Sequence, residues 1–191
     1  MTLKTAPTMT LETAPTLVRW TKALEESQAL DRPVQALEPT IRDIFGTGTR
    51  GSLLRGEWLG HAVHPVLTDF LVGTWTSAIV LDAFGDKGTR PAAQKLVGAG
   101  LVAVGPTAWT GWAEWSNAGQ REKRVGIVHV ASNGAAILGY AASWLARRSG
   151  HHRTGAGLAL AGAAAAGIGA YLGGHMALAR KVGSRHPVFE D

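Results

Sequence analysis

The sequence predicts an all-α protein: a four-helix transmembrane bundle with an N-terminal amphipathic-helix extension. Three observations carry this prediction. Asp, Glu, Lys and Arg are absent from residues 96–113, 125–146 and 154–179, and each window is close to the ~20 residues a helix needs to cross about 30 Å of hydrocarbon. Charged residues close each window: Lys95 and Glu114, Arg124 and Arg147, Arg153 and Arg180. A fourth segment, 65–85, is apolar apart from Asp69 and Asp82 and reads as a span in the company of the other three. A soluble bundle would give its helices a polar face, and residues 125–146 have none of any width.

Along the chain, residues 1–15 are rich in Thr and Pro and are expected to lack regular structure. No apolar core with a cleavage site follows Met1, so no signal peptide is expected. Leu17, Trp20 and Leu24, then Val34, Leu37, Ile41 and Ile44, recur at three- and four-residue steps. That is amphipathic-helix spacing, and Pro33 divides the stretch into two short helices. They are expected to lie on the membrane surface, on a partner, or on each other as a small cap. Residues 46–51 read as a loop. Leu53, Leu54, Trp58 and Leu59 read as a short interfacial helix leading into the membrane.

The first span follows. The second carries Pro106, where a kink is expected, and Trp109, Trp112 and Trp115 crowd its end like an interfacial belt. The fourth is mostly Gly and Ala. Small residues at four-residue spacing let membrane helices approach closely, and Gly167 and Gly174 are the expected contact points. The resulting organisation is an N-terminal segment over 1–57, the membrane bundle over 58–182 and a tail over 183–191.

Charge and composition set the surroundings. Four spans place Arg50, Arg55, Arg121, Lys123, Arg124, Arg180, Lys181 and Arg185 on one side, against Lys87, Arg90, Lys95, Arg147, Arg148 and Arg153 on the other. The bias predicts the plasma membrane with both termini cytoplasmic. The formal net charge of +5 is therefore membrane-flanking charge. No continuous basic stripe points to nucleic acid. The absence of Cys rules out a disulfide scaffold, a zinc ribbon, a thiol nucleophile or an iron–sulfur cluster on this chain.

Ionisable residues inside a membrane are costly and mark function by default. Alternating span directions bring them to one end. His64 and Asp69 begin the first span and Glu114 closes the second. His129, with Asn133 one turn deeper, lies five residues inside Arg124. His175, with Tyr171 on its face, lies five residues inside Arg180. At 1.5 Å per residue His129 and His175 share a depth of ~7–8 Å, which predicts that they approach each other. His64, His129 and His175, supported by Asn133 and Tyr171, are the candidate ligands of a haem b or partners of a quinone. With Asp69 and Glu114 the same histidines form the candidate transition-metal set. His61, His151 and His152 read as loop residues.

The stretches LGHAVHPVLTDFLVG (59–73), GIVHVASNGAA (126–136) and YLGGHMALARKVG (171–183) resemble an uncharacterised integral-membrane family, domain of unknown function 2231, over roughly residues 55–185. Some relatives carry a Rieske-type [2Fe–2S] domain after the membrane domain, so the resemblance implies a redox partner. Many read His-Pro-x-x-x-His-Phe at the first motif, whereas this chain has Asp69 at the second His position. Three functions follow as expectations. The first is a redox-chain subunit that holds haem or quinone near the cytoplasmic face and exchanges electrons with a soluble iron–sulfur partner. The second is a His/carboxylate metal protein. The third is a cofactor-free membrane anchor for a soluble enzyme. Homo-oligomerisation is left open.

Overall fold

The computed structural model describes residues 10–189; most of the Thr/Pro-rich start and the last two residues of the tail lie outside them. The described chain is all helical: α1 (Thr16–Glu26), α2 (Asp31–Ile41), α3 (Gly48–Arg55), α4 (His64–Phe84), α5 (Arg90–Ser116), α6 (Gln120–Arg148) and α7 (His152–Gly174). Short 3-10 and π turns join or extend them. The four long helices form two hairpins, α4–α5 and α6–α7, joined through contacts of α5 with α6 and of α4 with α7.

Local sequence sets the helix ends. Pro65 sits in the first turn of α4, where its missing N–H costs nothing. Asp86 caps the turn into α5 by accepting from the Gly88 and Thr89 amides. Gly150, at φ 81°, supplies the left-handed residue that ends α6. Residues 46–51, expected as a loop, instead hold the start of α3 at Gly48. The helix break in the N-terminal region falls at residues 27–30. Pro33 sits in the first turn of α2 rather than at a boundary, since a first-turn proline gives up no helical hydrogen bond.

Packing in the long helices is closest between α6 and α7. A Cβ on Gly139 would stand 2.9 Å from Gly162 Cα, so only glycine fits. Gly155, Gly162 and Gly169 of α7, at seven-residue spacing, meet α6, and Gly173 meets it as well. Gly167 and Gly174, expected to be contacts, face open space; a four-residue pattern in a Gly/Ala-rich helix does not say which of several small faces is used. Between the hairpins Trp75 stacks on Tyr140 at 3.9 Å and donates from Nε1 to the Val97 carbonyl, amid Ala78, Ala93, Val97 and Ala159. At one end of this core Arg147, 1% exposed, holds the Asp82 carboxylate with both terminal nitrogens and the Ser143 hydroxyl with Nε.

The distribution of side chains is that of a membrane protein. Phe84, Val102, Leu138 and Leu178 face outward, while Thr74, Thr107, Thr110, Ser143 and Arg147 face inward. In water that order would forfeit about 1.5–3 kcal/mol for each large apolar side chain left exposed. In lipid, helices associate through small and polar residues. Helix α4, helix α6, and α7 with its continuation to Ala179 are long and apolar enough to cross a membrane. Helix α5, expected as a fourth span, is 27 residues long but is not among them, because Pro106, Thr107, Trp109, Thr110 and Trp112 dilute the hydropathy of its second half. It runs through Pro106 as one helix.

The N-terminal helices close over one end of the long helices. Val34 and Ile41 of α2 bury against Trp115. Helix α1 packs on α6 and buries Thr21 and Glu25, leaving Leu17, Val18 and Trp20 outside. Its apolar face is therefore the outer one.

Candidate functional site

The end covered by α1 and α2 holds a cavity of about 380 Å³ between the two hairpins. His64 enters it from the first turn of α4 and His129 from α6. Each ring is fixed by a backbone carbonyl. His64 Nδ1 lies 2.9 Å from the Thr107 carbonyl oxygen and His129 Nδ1 lies 2.8 Å from that of Gly169. A carbonyl only accepts, so both Nδ1 atoms carry the proton, and in the neutral ring both Nε2 atoms are acceptors. His129 Nε2 accepts from Asn133 Nδ2 at 3.0 Å. His64 Nε2 has no protein partner among the described residues.

Glycines make room for both rings. A Cβ on Gly111 would stand 2.8 Å from His64 Cε1, and one on Gly173 would stand 3.0 Å from His129 Cε1. A Cβ on Gly169 would strike the Asn133 side chain. The walls are otherwise mostly apolar, with Leu71, Trp75, Trp112, Trp115 and Ile137 among them. Val72 of α4 and Val130 of α6 line the cavity and are 41% and 37% exposed.

Glu114 lies on the wall between this cavity and a second, polar one of about 710 Å³ at the end of the molecule. Its Oε2 accepts from the backbone amide and the hydroxyl of Ser184, both at 3.0 Å. Its Oε1 is buried without a hydrogen-bond partner.

The remaining predicted residues lie elsewhere. His175 does not line the cavity: its Nε2 donates to Glu25 Oε1 at 2.8 Å, and the same carboxylate takes Nε and a terminal nitrogen of Arg180 and the Lys22 ammonium. Equal depth sets height along a helix but not direction around it, and His175 turns toward α1 rather than toward His129. Tyr171 meets the Thr21 hydroxyl at 3.3 Å and belongs to the same clamp. Asp69 is exposed on the outer side of α4. Among the described residues no group of three or more His, Asp or Glu is arranged to hold a metal ion. His61 stacks on Phe189, away from the site.

The residues that sequence reasoning missed are Glu25, Thr107, Gly111, Gly169 and Gly173. Glu25 is 1% exposed. Burial opposes its charge, but hydrogen bonds from Arg180, His175 and Lys22 outweigh that and hold its carboxyl down at about 2. Beside it Arg124 binds both Asp31 oxygens and the Glu25 carbonyl, and the Arg124 and Gln120 hydrogen bonds hold Asp31 below the usual carboxylate range.

A family model described as a predicted membrane protein (DUF2231) matches residues 60–186. This span includes His64, Glu114, His129 and Asn133 and leaves out α1 to α3. No curated protein and no solved structure matches the chain.

Proposed function

The chain belongs to the DUF2231 family of predicted membrane proteins, and from that premise we propose that it is an integral membrane redox subunit. It binds a quinol in the cavity between the hairpins and delivers electrons to a soluble iron–sulfur partner. In this reading α5 is the fourth span, because its 27 residues reach ~40 Å alongside α4. Both termini then face the cytoplasm, and the cavity lies near that face of the plasma membrane.

The observation that carries the reading is the pair of cavity imidazoles whose Nδ1 protons are committed to carbonyls. His64 Nε2 is left to accept a hydroxyl proton, and the Asn133–His129 pair supplies a second polar contact across the cavity. The largely apolar lining of the cavity suits a ligand that arrives through lipid. A volume of 380 Å³ is at the low end for small-molecule sites and suits one quinol ring better than a tetrapyrrole. Haem b would also need His129 Nε2, which Asn133 occupies. When bound, the quinol supplies two electrons and two protons, and the iron–sulfur partner takes the electrons one at a time.

Trp75, Trp112 and Trp115 line the cavity, so ligand occupancy is readable by fluorescence. Titrating the detergent-purified protein with a short-chain benzoquinol should quench them saturably. His64→Ala should weaken that quenching about tenfold, the equivalent of one ~1.4 kcal/mol hydrogen bond. A Soret band in the purified protein, or quenching indifferent to His64→Ala, would replace this reading.

A further inference from the structure

The two cavities share a wall made by Glu114, Ala118, Val182 and Gly183. Three of these are apolar or without a side chain, so Glu114 is the one group on that wall able to bind a proton. It is 7% exposed. One of its oxygens is spoken for by Ser184 and the other is buried and free of partners. Leaving a buried carboxylate oxygen unpaired costs about 1–3 kcal/mol or more. The cost is avoidable: a glutamine or an apolar residue would fill the same space.

Position along α5 adds a direction. The Thr107 carbonyl and Gly111 hold the His64 ring, and Glu114 lies three residues beyond Gly111, about 4.5 Å further along the helix toward the polar cavity. That cavity is lined by Arg55, Glu57, Glu122, Arg180, Lys181 and His186, a charged, water-accepting surface. The polar groups of α5 thus step from the apolar cavity to the polar one.

We propose that Glu114 is the proton exit of the intramembrane cavity, passing protons from His64 to the polar cavity at the cytoplasmic end. This rests on the quinol reading above. On each transfer the quinol O–H bond breaks and an Nε2–H bond forms on His64. That bond breaks as the proton passes through water in the cavity to form an O–H bond on the free Glu114 oxygen, and it then leaves to water in the polar cavity. Two such transfers accompany the two electrons taken singly by the iron–sulfur partner. Ser184 is a positioning residue: its two hydrogen bonds hold Oε2 and leave Oε1 for the proton.

The test is a redox-poised infrared difference spectrum of the full chain in lipid vesicles loaded with a short-chain benzoquinone, with an electrode as the electron partner. A protonated-carboxyl band should appear and vanish with the redox step. Glu114→Gln should abolish it and slow proton release at saturating quinol at least about tenfold. Glu114→Asp should shift the band while retaining it, which separates loss of the relay from loss of the fold. Ser184→Ala should move its frequency. If wild type and Glu114→Gln give the same band and the same release rate, the relay is overturned while quinol binding stands. If benzoquinone produces no saturable tryptophan quenching in wild type, the quinol site and the relay fall together.

Discussion

The two ends of the long helices treat their buried polar groups in opposite ways. At the Asp82–Arg147 end the guanidinium, the carboxylate and Ser143 satisfy one another, and Ser143 also donates to the Gly155 carbonyl. At the other end Glu114 keeps a buried oxygen unpaired and His64 Nε2 makes no hydrogen bond to the described residues, both beside a cavity. Both ends contain ionisable groups packed among the long helices. What distinguishes the Asp82–Arg147–Ser143 network from the cavity groups is saturation, although His152 Nδ1 near the Arg147 end is also buried without a partner. A closed network holds helices in register, whereas residual hydrogen-bonding capacity next to open space is available for chemistry.

The largest expected effect lies at the saturated end. Arg147→Met strands Asp82 in an apolar setting, and breaking such a pair costs ~3–5 kcal/mol; thermal melting in detergent should fall accordingly. The double variant Arg147→Met with Asp82→Leu should recover much of that loss. A single variant that melts like wild type would dissolve the contrast between the ends. Glu114→Gln should cost far less stability, because it breaks no closed network.

Next in size is the α6–α7 seam. Gly162→Leu should destabilise by ~1–3 kcal/mol through overpacking, since a Cβ there already presses on the Ala136 carbonyl and the Tyr140 ring. A milder effect is expected at the Glu25 clamp. Its carboxyl titrates near 2 rather than at the ordinary 4.5, so its contribution is complete above about pH 4.5 and is lost as pH falls toward 2. Protease nicking of α1 should rise across that acid window in wild type and be already high, and flat with pH, in Glu25→Gln. The smallest effect is reserved for Gly167→Leu, which faces open space and should stay within about 0.5 kcal/mol of wild type. Equal losses at Gly162 and Gly167 would mean that α7 packs by a different face.

Much of the architecture was legible because charge-free windows and helix periodicity are local properties. The extents of α4 and α7 and the body of α6 follow from them, and His64, His129 and Asn133, singled out as polar residues in or beside these windows, line the cavity. Azimuth was not legible. Depth arithmetic paired His129 with His175, but rotation about α7 depends on which small-residue face meets α6, and nearly every face of that helix is small. The orientation of α1 was hidden for a related reason. Its periodicity separates an apolar face from a polar one without saying whether protein or lipid lies on either side. Nothing in the sequence therefore singles out Glu25, although its partners Arg180 and His175 hold it in the interior.

The Glu25 clamp also orders events during synthesis. Glu25 and Arg180 are separated by 155 residues, so at ~5–20 residues per second the ribosome delivers the arginine about 8–30 s after the glutamate. Until then α1 can pack on α6, but its carboxylate lacks its His175 and Arg180 partners. The full set of Glu25 hydrogen bonds thus waits for the last helix to be made. Only a chain that has reached Arg180 can complete it, which makes the clamp a record that translation of the bundle has finished.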